Sequence, residues 1–145
     1  MVRLRKVKDT DIDLLYKWAN DPIVRKNSFN TDIIKYETHK VWFYKMMTST
    51  SIHQFILVND EIPLGQIRLN IISETAEIGY SIAAEFRGMG YGSLMLKLIN
   101  DELKNNYPNV KKIIAKVKTQ NIASQKAFEK MNYEKEYLSY SLVLK

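Results

Sequence analysis

The chain contains no cysteine. That excludes a disulfide framework, thiolate metal ligation and a cysteine nucleophile. It contains two isolated histidines, His39 and His53, which is too few to predict a metal site. No stretch approaches the roughly 18 consecutive apolar residues that a membrane-spanning helix needs. The opening residues, MVRLRKVKDTD, are charged and lack the apolar segment of a signal peptide, so the expected compartment is the cytoplasm. Basic residues outnumber acidic ones, 22 to 16, for a net charge of +6, but they are scattered and never form a run of five. A solvated surface is the expected reading, with no nucleic-acid partner and no membrane partner. Glycine is scarce as well: of five in the chain, three fall within FRGMGYG, residues 86–92.

What is present is enough apolar residue, 46% of 145, to build the core of one domain spanning 1–145. VRLRKV (2–7) alternates like a strand. Thr10 is placed to cap a helix carrying Ile12, Leu14, Leu15 and Trp18, which ends at Asn20, Asp21 and Pro22. A short helix or turn covers 23–25, and KNSFNTD (26–32) reads as a loop. A further helix runs from Tyr36 to Met47. Strands follow at 53–59, 65–72 and 76–83, separated by turn residues as in an antiparallel meander. After the glycine stretch comes an apolar helix ended by Pro108, then a strand at 111–117. Asn121 caps a helix through Met131. EKEYLSYSLVLK alternates Leu138, Tyr140, Leu142 and Leu144 and predicts a final strand. The expected class is α/β (α+β), a mixed sheet flanked by about four helices, with boundaries loose by a few residues.

The glycine stretch lies between a strand and a helix. Glycines there free backbone N–H groups of side-chain cover, and the helix adds its own free N–H groups and the positive end of its dipole. This arrangement suits a phosphate. It is not a Walker A loop, because Tyr91-Gly92-Ser93 follows Gly90 where Gly-Lys-Ser/Thr is needed. Nor is it a Rossmann loop, whose spacing is G-x-G-x-x-G within a βαβ unit.

The spacing does fit Arg/Gln-x-x-Gly-x-Gly/Ala, with Arg87, Gly90 and Gly92. Together with EIGYSI before it, the apolar helix after it and NIASQKAFEKMNY further on, the chain resembles the GNAT acetyltransferases over essentially its whole length. The resemblance implies acetyl-CoA as acetyl donor and a mostly antiparallel sheet splayed between its fourth and fifth strands. It implies that backbone groups of Ser81, Ile82 and Ala83 hold the pantetheine arm and polarise the thioester carbonyl. Arg87, Gly88, Met89, Gly90, Tyr91, Gly92 and Ser93 would hold the pyrophosphate, with Arg87 adding charge. Asn121 and Ser124 would lie beside the coenzyme, as would Phe128. Many members carry a proton-donating tyrosine at the position of Phe128, which has no proton to give, so either the acid is elsewhere, with Tyr133 the nearest tyrosine in sequence, or the thiolate leaves without one. Glu77 shares an alternation face with Gly79 and Ser81 and is the candidate base for the acceptor ammonium.

The segment WANDPIVRKNS (18–28), followed by HKVWF (39–43), resembles two GNAT groups. One acetylates ribosomal-protein N-termini and, in its relatives, antibiotics. The other acetylates the 4-amino group of a nucleotide-linked amino sugar. The run RKNSFN favours the second. Asn27, Ser28, Phe29, His39, Trp42 and Phe43 are then the candidate acceptor residues, with polar groups for hydroxyls and aromatics for rings. A small-molecule amine is the expected partner, and a homodimer through the C-terminal strands is expected from the resemblance. A non-catalytic coenzyme A sensor is the alternative class.

Overall fold

The computed structural model describes residues 1–144. The elements are β1 (Val2–Lys6), α1 (Ile12–Ala19), α2 (Pro22–Asn27), α3 (Tyr36–Thr48), β2 (Ile52–Asn59), β3 (Ile62–Ile72), β4 (Thr75–Ile82), α4 (Tyr91–Asn106), β5 (Lys112–Ala115) and α5 (Ile122–Lys130). The sheet order is β1-β2-β3-β4-β5. The first four strands pair antiparallel, and β5 lies parallel to β4.

Both faces of the sheet are covered, and β2 shows why its run FILV has no polar alternation. Phe55 and Leu57 turn to one side and pack with Ile67, Leu69, Ala76 and Ile78 against Met95, Leu96, Ile99 and Leu103 of α4 and Phe128 of α5. Ile56 and Val58 turn to the other side and meet Leu15 and Trp18 of α1 and Phe43 and Met46 of α3. A strand covered on both faces reads as a continuous apolar run. The second face is apolar only where α1 and α3 cover it. Toward β4 it carries Gln66, Arg68 and Asn70, in register with Ser81, Gly79 and Glu77.

Two sequence expectations are corrected. Thr10 does not cap α1. It sits inside a 3-10 turn, Asp9–Asp11. Asp11 organises that turn instead, taking both guanidinium nitrogens of Arg5 at 2.8 and 2.9 Å and the Lys8 N–H at 2.7 Å. The expected final strand also fails to form. Residues 134–144 have no regular structure, and Lys145 lies outside the described residues. Leu138, Tyr140, Leu142 and Leu144 are all exposed. Alternation supplies a strand's side-chain pattern, but a strand also needs a neighbouring edge to pair with, and this segment meets none.

The splay is real. Pairing of β4 with β5 runs from Thr75↔Lys112 to Ile78↔Ala115 and stops. β4 continues to Ile82 with β3 as its partner. From Gly79 onward its other edge has no strand beside it among the described residues.

Candidate active site

Ladder geometry decides which β4 groups face the open edge. The Ala83 N–H donates to the Leu64 carbonyl on β3 at 2.8 Å. By the alternation of an antiparallel ladder, Ser81 also turns its backbone toward β3, while Tyr80 and Ile82 turn theirs toward the side that β5 has left. The expectation of three open residues, Ser81, Ile82 and Ala83, is corrected to Tyr80 and Ile82. Even there the Ile82 carbonyl is engaged, accepting from Arg87 Nε at 3.1 Å. The Ser81 hydroxyl accepts from Gln66 Nε2 at 3.0 Å, and Gln66 Oε1 accepts from Gln54 Nε2 at 2.8 Å. This amide row crosses the sheet and holds the Ser81 side chain still.

The glycine loop has the expected form. Gly88 and Gly90 take positive φ, +78° and +85°, where a side chain is strained. Gly90 is the N-cap of α4, with no side-chain cap and no acidic residue in the first turn. The amides of Tyr91, Gly92 and Ser93 therefore start a 16-residue helix with nothing acidic against them. Gly92 stands against Tyr80: a Cβ there would lie 3.4 Å from the ring and 3.5 Å from its hydroxyl. Met89 is exposed on the loop. An unpaired strand edge running into a bare helix N-terminus fits an extended chain that ends in a diphosphate.

Arg87 does not reach into that cradle. Its Nη2 pairs with Asp21 Oδ1 at 2.9 Å, and its Nε holds Ile82. The charge expected for the pyrophosphate instead fastens the loop to the start of α2. Burial works against the Asp21 carboxylate, but the Arg87 guanidinium and the N–H groups of Val24 and Ile23 outweigh it and hold the carboxyl below its ordinary 3.8. Asp11, opposed by burial but held by Arg5 and Lys8, is lowered in the same sense. A depressed carboxyl pKa contributes stability that is complete above the unfolded value and is lost as pH falls through the folded one. Melting temperature should therefore hold steady down to about pH 4 and fall below it. In Asp21→Asn the fall should be shallower, which a melting series from pH 6 to pH 2.5 would show.

At the far side of the gap, Asn121 Oδ1 caps α5 through the Ser124 N–H at 3.2 Å. Ser124 Oγ donates to the Tyr80 hydroxyl at 3.2 Å. Phe128 is buried, edge-on to Tyr80 at 5.7 Å and edge-on to Tyr133 at 5.0 Å. Phe128 thus contacts both rings, and Tyr133 donates its hydroxyl to Asn100 of α4 at 3.3 Å. Burial pushes the Tyr133 phenol up to about 12. The catalytic expectation for Tyr133 is corrected: its proton is engaged by Asn100 and held tightly. Tyr80 is the residue that sequence reasoning missed. The only available sign was its place one residue after Gly79 in EIGYSI.

Across the sheet, Glu77 lies two residues before Gly79 on the same face, with its Oε1 3.2 Å from Lys116 Nζ. Nothing would lie within 4 Å of a Cβ on Gly79, so the face is open there. Arg68, paired in register with Gly79, is exposed to solvent. Burial pulls its pKa down, partly offset by Glu77. Its guanidinium lies 5.5 Å from the centre of the Trp42 ring.

The other acceptor candidates separate. Trp42 reaches the open face. Phe43 is wholly buried, and His39 is 4% exposed with Nε2 2.9 Å from the Ile12 carbonyl. That oxygen can only accept, so His39 carries its proton on Nε2 and serves as a core hydrogen bond. Both expectations are corrected, because α3 turns the 39 and 43 positions onto α1 and the sheet. Ser28 is also committed, donating to the Val24 carbonyl at 2.6 Å and accepting from Arg25 Nη2 at 3.1 Å. Asn27 ends α2, and Phe29 is exposed. The Lys26 carbonyl accepts from Lys118 Nζ and Gln120 Nε2 at 3.2 and 3.3 Å, which brings this loop to the entry of α5.

The sequence profile of the acetyltransferase (GNAT) domain matches residues 2–134. The chain belongs to the GNAT acetyltransferase family. It is an N-acetyltransferase that takes its acetyl group from acetyl-CoA. Among solved structures it is similar to a spermidine N-acetyltransferase from Vibrio cholerae in complex with coenzyme A and spermine, at 17% identity and TM-score 0.86, covering 99% of this chain and 88% of that one. It is similar also to an aminoglycoside acetyltransferase in complex with coenzyme A, at 18% identity and TM-score 0.80, over 94% and 86% of the two chains. A domain from Methanocaldococcus jannaschii DSM 2661 has 24% identity and TM-score 0.82, over 94% and 90%. No curated protein matches the chain. No helix among the described residues is long and apolar enough to cross a membrane.

Proposed function

We propose that the acceptor is a small primary amine, which enters over Gly79 from the α3 side of the sheet and attacks the acetyl carbonyl directly. The observation that carries this reading is the unpaired β4 edge beyond Ile78, with bare Gly79 open on the opposite face. The amides of Tyr80 and Ile82 face the edge and would polarise the carbonyl. Loop residues 88–93 would take the diphosphate, with Asn121 and Ser124 framing the far side. Glu77 would accept the ammonium proton directly or through one water, and Lys116 would keep its carboxylate oriented.

For the acceptor itself, the 4-amino group of a UDP-linked 4-amino-4,6-dideoxy sugar is our preferred reading. The segments WANDPIVRKNS and HKVWF support it by resemblance. Arg68 supports it by chemistry: a guanidinium braced on Trp42 presents a planar donor fork suited to a phosphate. The same cation would repel a polycation. The structural neighbours favour a second reading, since they are named for acceptors of that kind, spermidine and aminoglycosides. Peptide N-termini are a third. A cytoplasmic location is supported by the absence of cysteine. A homodimer through the C-terminal segment is supported by its exposed apolar side chains, Tyr137 to Leu144.

The test is acetyl-CoA-dependent thiol release, read with a disulfide dye, over a UDP-amino sugar, spermidine, an aminoglycoside and peptides with free N-termini. The protein adds no thiol background, having no cysteine. Release with the sugar alone is the expected result. Release with the cations alone would overturn the Arg68 argument. Acetyl-CoA binding without release on any amine would favour a sensor. In Arg68→Gln, KM for a phosphate-bearing acceptor should rise about 10–100-fold, matching the ~1.5–3 kcal/mol of a hydrogen bond to a charged group. Acetyl-CoA affinity should not move.

A further inference from the structure

This inference rests on the acetyl-transfer reading and concerns how the leaving sulfur is protonated. Phe128 has no proton to give, and the Tyr133 hydroxyl is bound to Asn100. Tyr80 has a different setting. Its backbone faces the open edge of β4. Its ring lies edge-on to Phe128 at 5.7 Å, in the α4–α5 layer. Its hydroxyl stands against both lips of the gap. On one side is Gly92, in the first turn of α4, where a Cβ would lie 3.5 Å from the phenolic oxygen. On the other is Ser124, in the first turn of α5, 3.2 Å away.

Ser124 directs its proton at the tyrosine oxygen, which leaves the tyrosine's own proton without an assigned acceptor among the described residues. Burial raises the phenol's pKa and the Ser124 hydrogen bond opposes it. No charged group of β3, α4 or α5 contributes. The phenol is therefore protonated at neutral pH.

We propose that Tyr80 is the general acid of the transfer, giving its hydroxyl proton to the departing thiolate. The amine nitrogen forms the C–N bond as the C–S bond breaks, and the sulfur keeps the bonding pair and takes the Tyr80 proton. The phenolate left behind is held by the Ser124 O–H and regains a proton from water. The ammonium loses one proton to Glu77 or to water before attack, and the nitrogen loses a second as the amide forms; that second proton reaches solvent and balances the one water returns to Tyr80, so ammonium plus thioester becomes amide, thiol and one released proton. Ordinary tyrosine and thiol pKa values differ by only about 1.5 units, so the transfer is accessible.

The test places 3-fluorotyrosine at position 80 and reads its fluorine resonance with coenzyme A and with the analogue that lacks the sulfur. The expected result is a larger shift with coenzyme A, because the sulfur meets the hydroxyl. Equal responses, or none, would overturn the proposal, and this arm needs no acceptor. With an active acceptor, Tyr80→Phe should keep acetyl-CoA affinity within about threefold and lose ~100–1,000-fold in kcat. The fluorinated enzyme should move its alkaline rate limb to lower pH, as a more acidic phenol requires. An unchanged kcat in Tyr80→Phe, or an unmoved limb, would refute the role. If no amine is acetylated by the wild type, the acceptor reading fails while the resonance still decides the case for Tyr80.

Discussion

Phe43→Ala should be the most destabilising single truncation considered, at about 3–5 kcal/mol. The ring is wholly buried between α3, α1 and the sheet, among Leu15, Trp18, Ile56 and Val58. Removing it leaves a cavity that a packed core refills only in part. For a chain of this length the melting temperature should drop by roughly 10–15 °C. The variant, assayed well below its melting point, should keep acetyl-CoA affinity and KM for the acceptor within about threefold. The opposite pattern, a raised KM with an unmoved melting temperature, would return Phe43 to the acceptor site. Trp42→Ala is the contrasting case, since its ring braces Arg68 on the open face.

Gly90→Val should damage donor binding more than any other change in the loop. Gly90 sits at φ +85° and opens α4. A β-branched residue in that region costs on the order of 1–3 kcal/mol if the backbone holds its form. If the backbone instead relaxes, the first-turn amides of Tyr91, Gly92 and Ser93 no longer converge. In that case acetyl-CoA Kd should weaken by about 10–100-fold, measurable by calorimetry, whereas strain retained in both free and bound protein would lower the melting temperature and leave Kd unmoved. Gly90→Asn should fall between wild type and Gly90→Val, because asparagine tolerates the left-handed region. Full affinity in Gly90→Val with no loss of melting temperature would mean that donor binding does not depend on the positive φ of Gly90.

Much of this architecture was legible in local pattern. The three meander strands, the apolar helix after the glycines and the Asn121 cap each follow from periodicity or from a residue type that a short-range hydrogen bond requires. The loop was legible for the same reason: positive φ at Gly88 and Gly90 is a local property of bare backbone. Where sequence reading failed, the missing information was a partner distant in the chain. Arg87 looked like a free cation beside a phosphate loop, and its partner Asp21 is 66 residues away. His39 looked like an acceptor ligand, and its partner Ile12 is 27 residues away. The C-terminal alternation looked like a strand and found no edge.

Composition and local pattern by themselves therefore determined the mixed α/β class, the absence of cysteine chemistry and the place of the glycine cradle. Those depend on what a residue is and on its neighbours within one turn or one strand. Only the tertiary structure decided that Trp42 faces the open side while Phe43 is buried, that β5 leaves β4 at Ile78, and that Tyr80 rather than Tyr133 stands at the gap. These depend on which way a helix rolls on the sheet and where two strands part. Packing of side chains far apart in sequence settles both, and no local repeat encodes it.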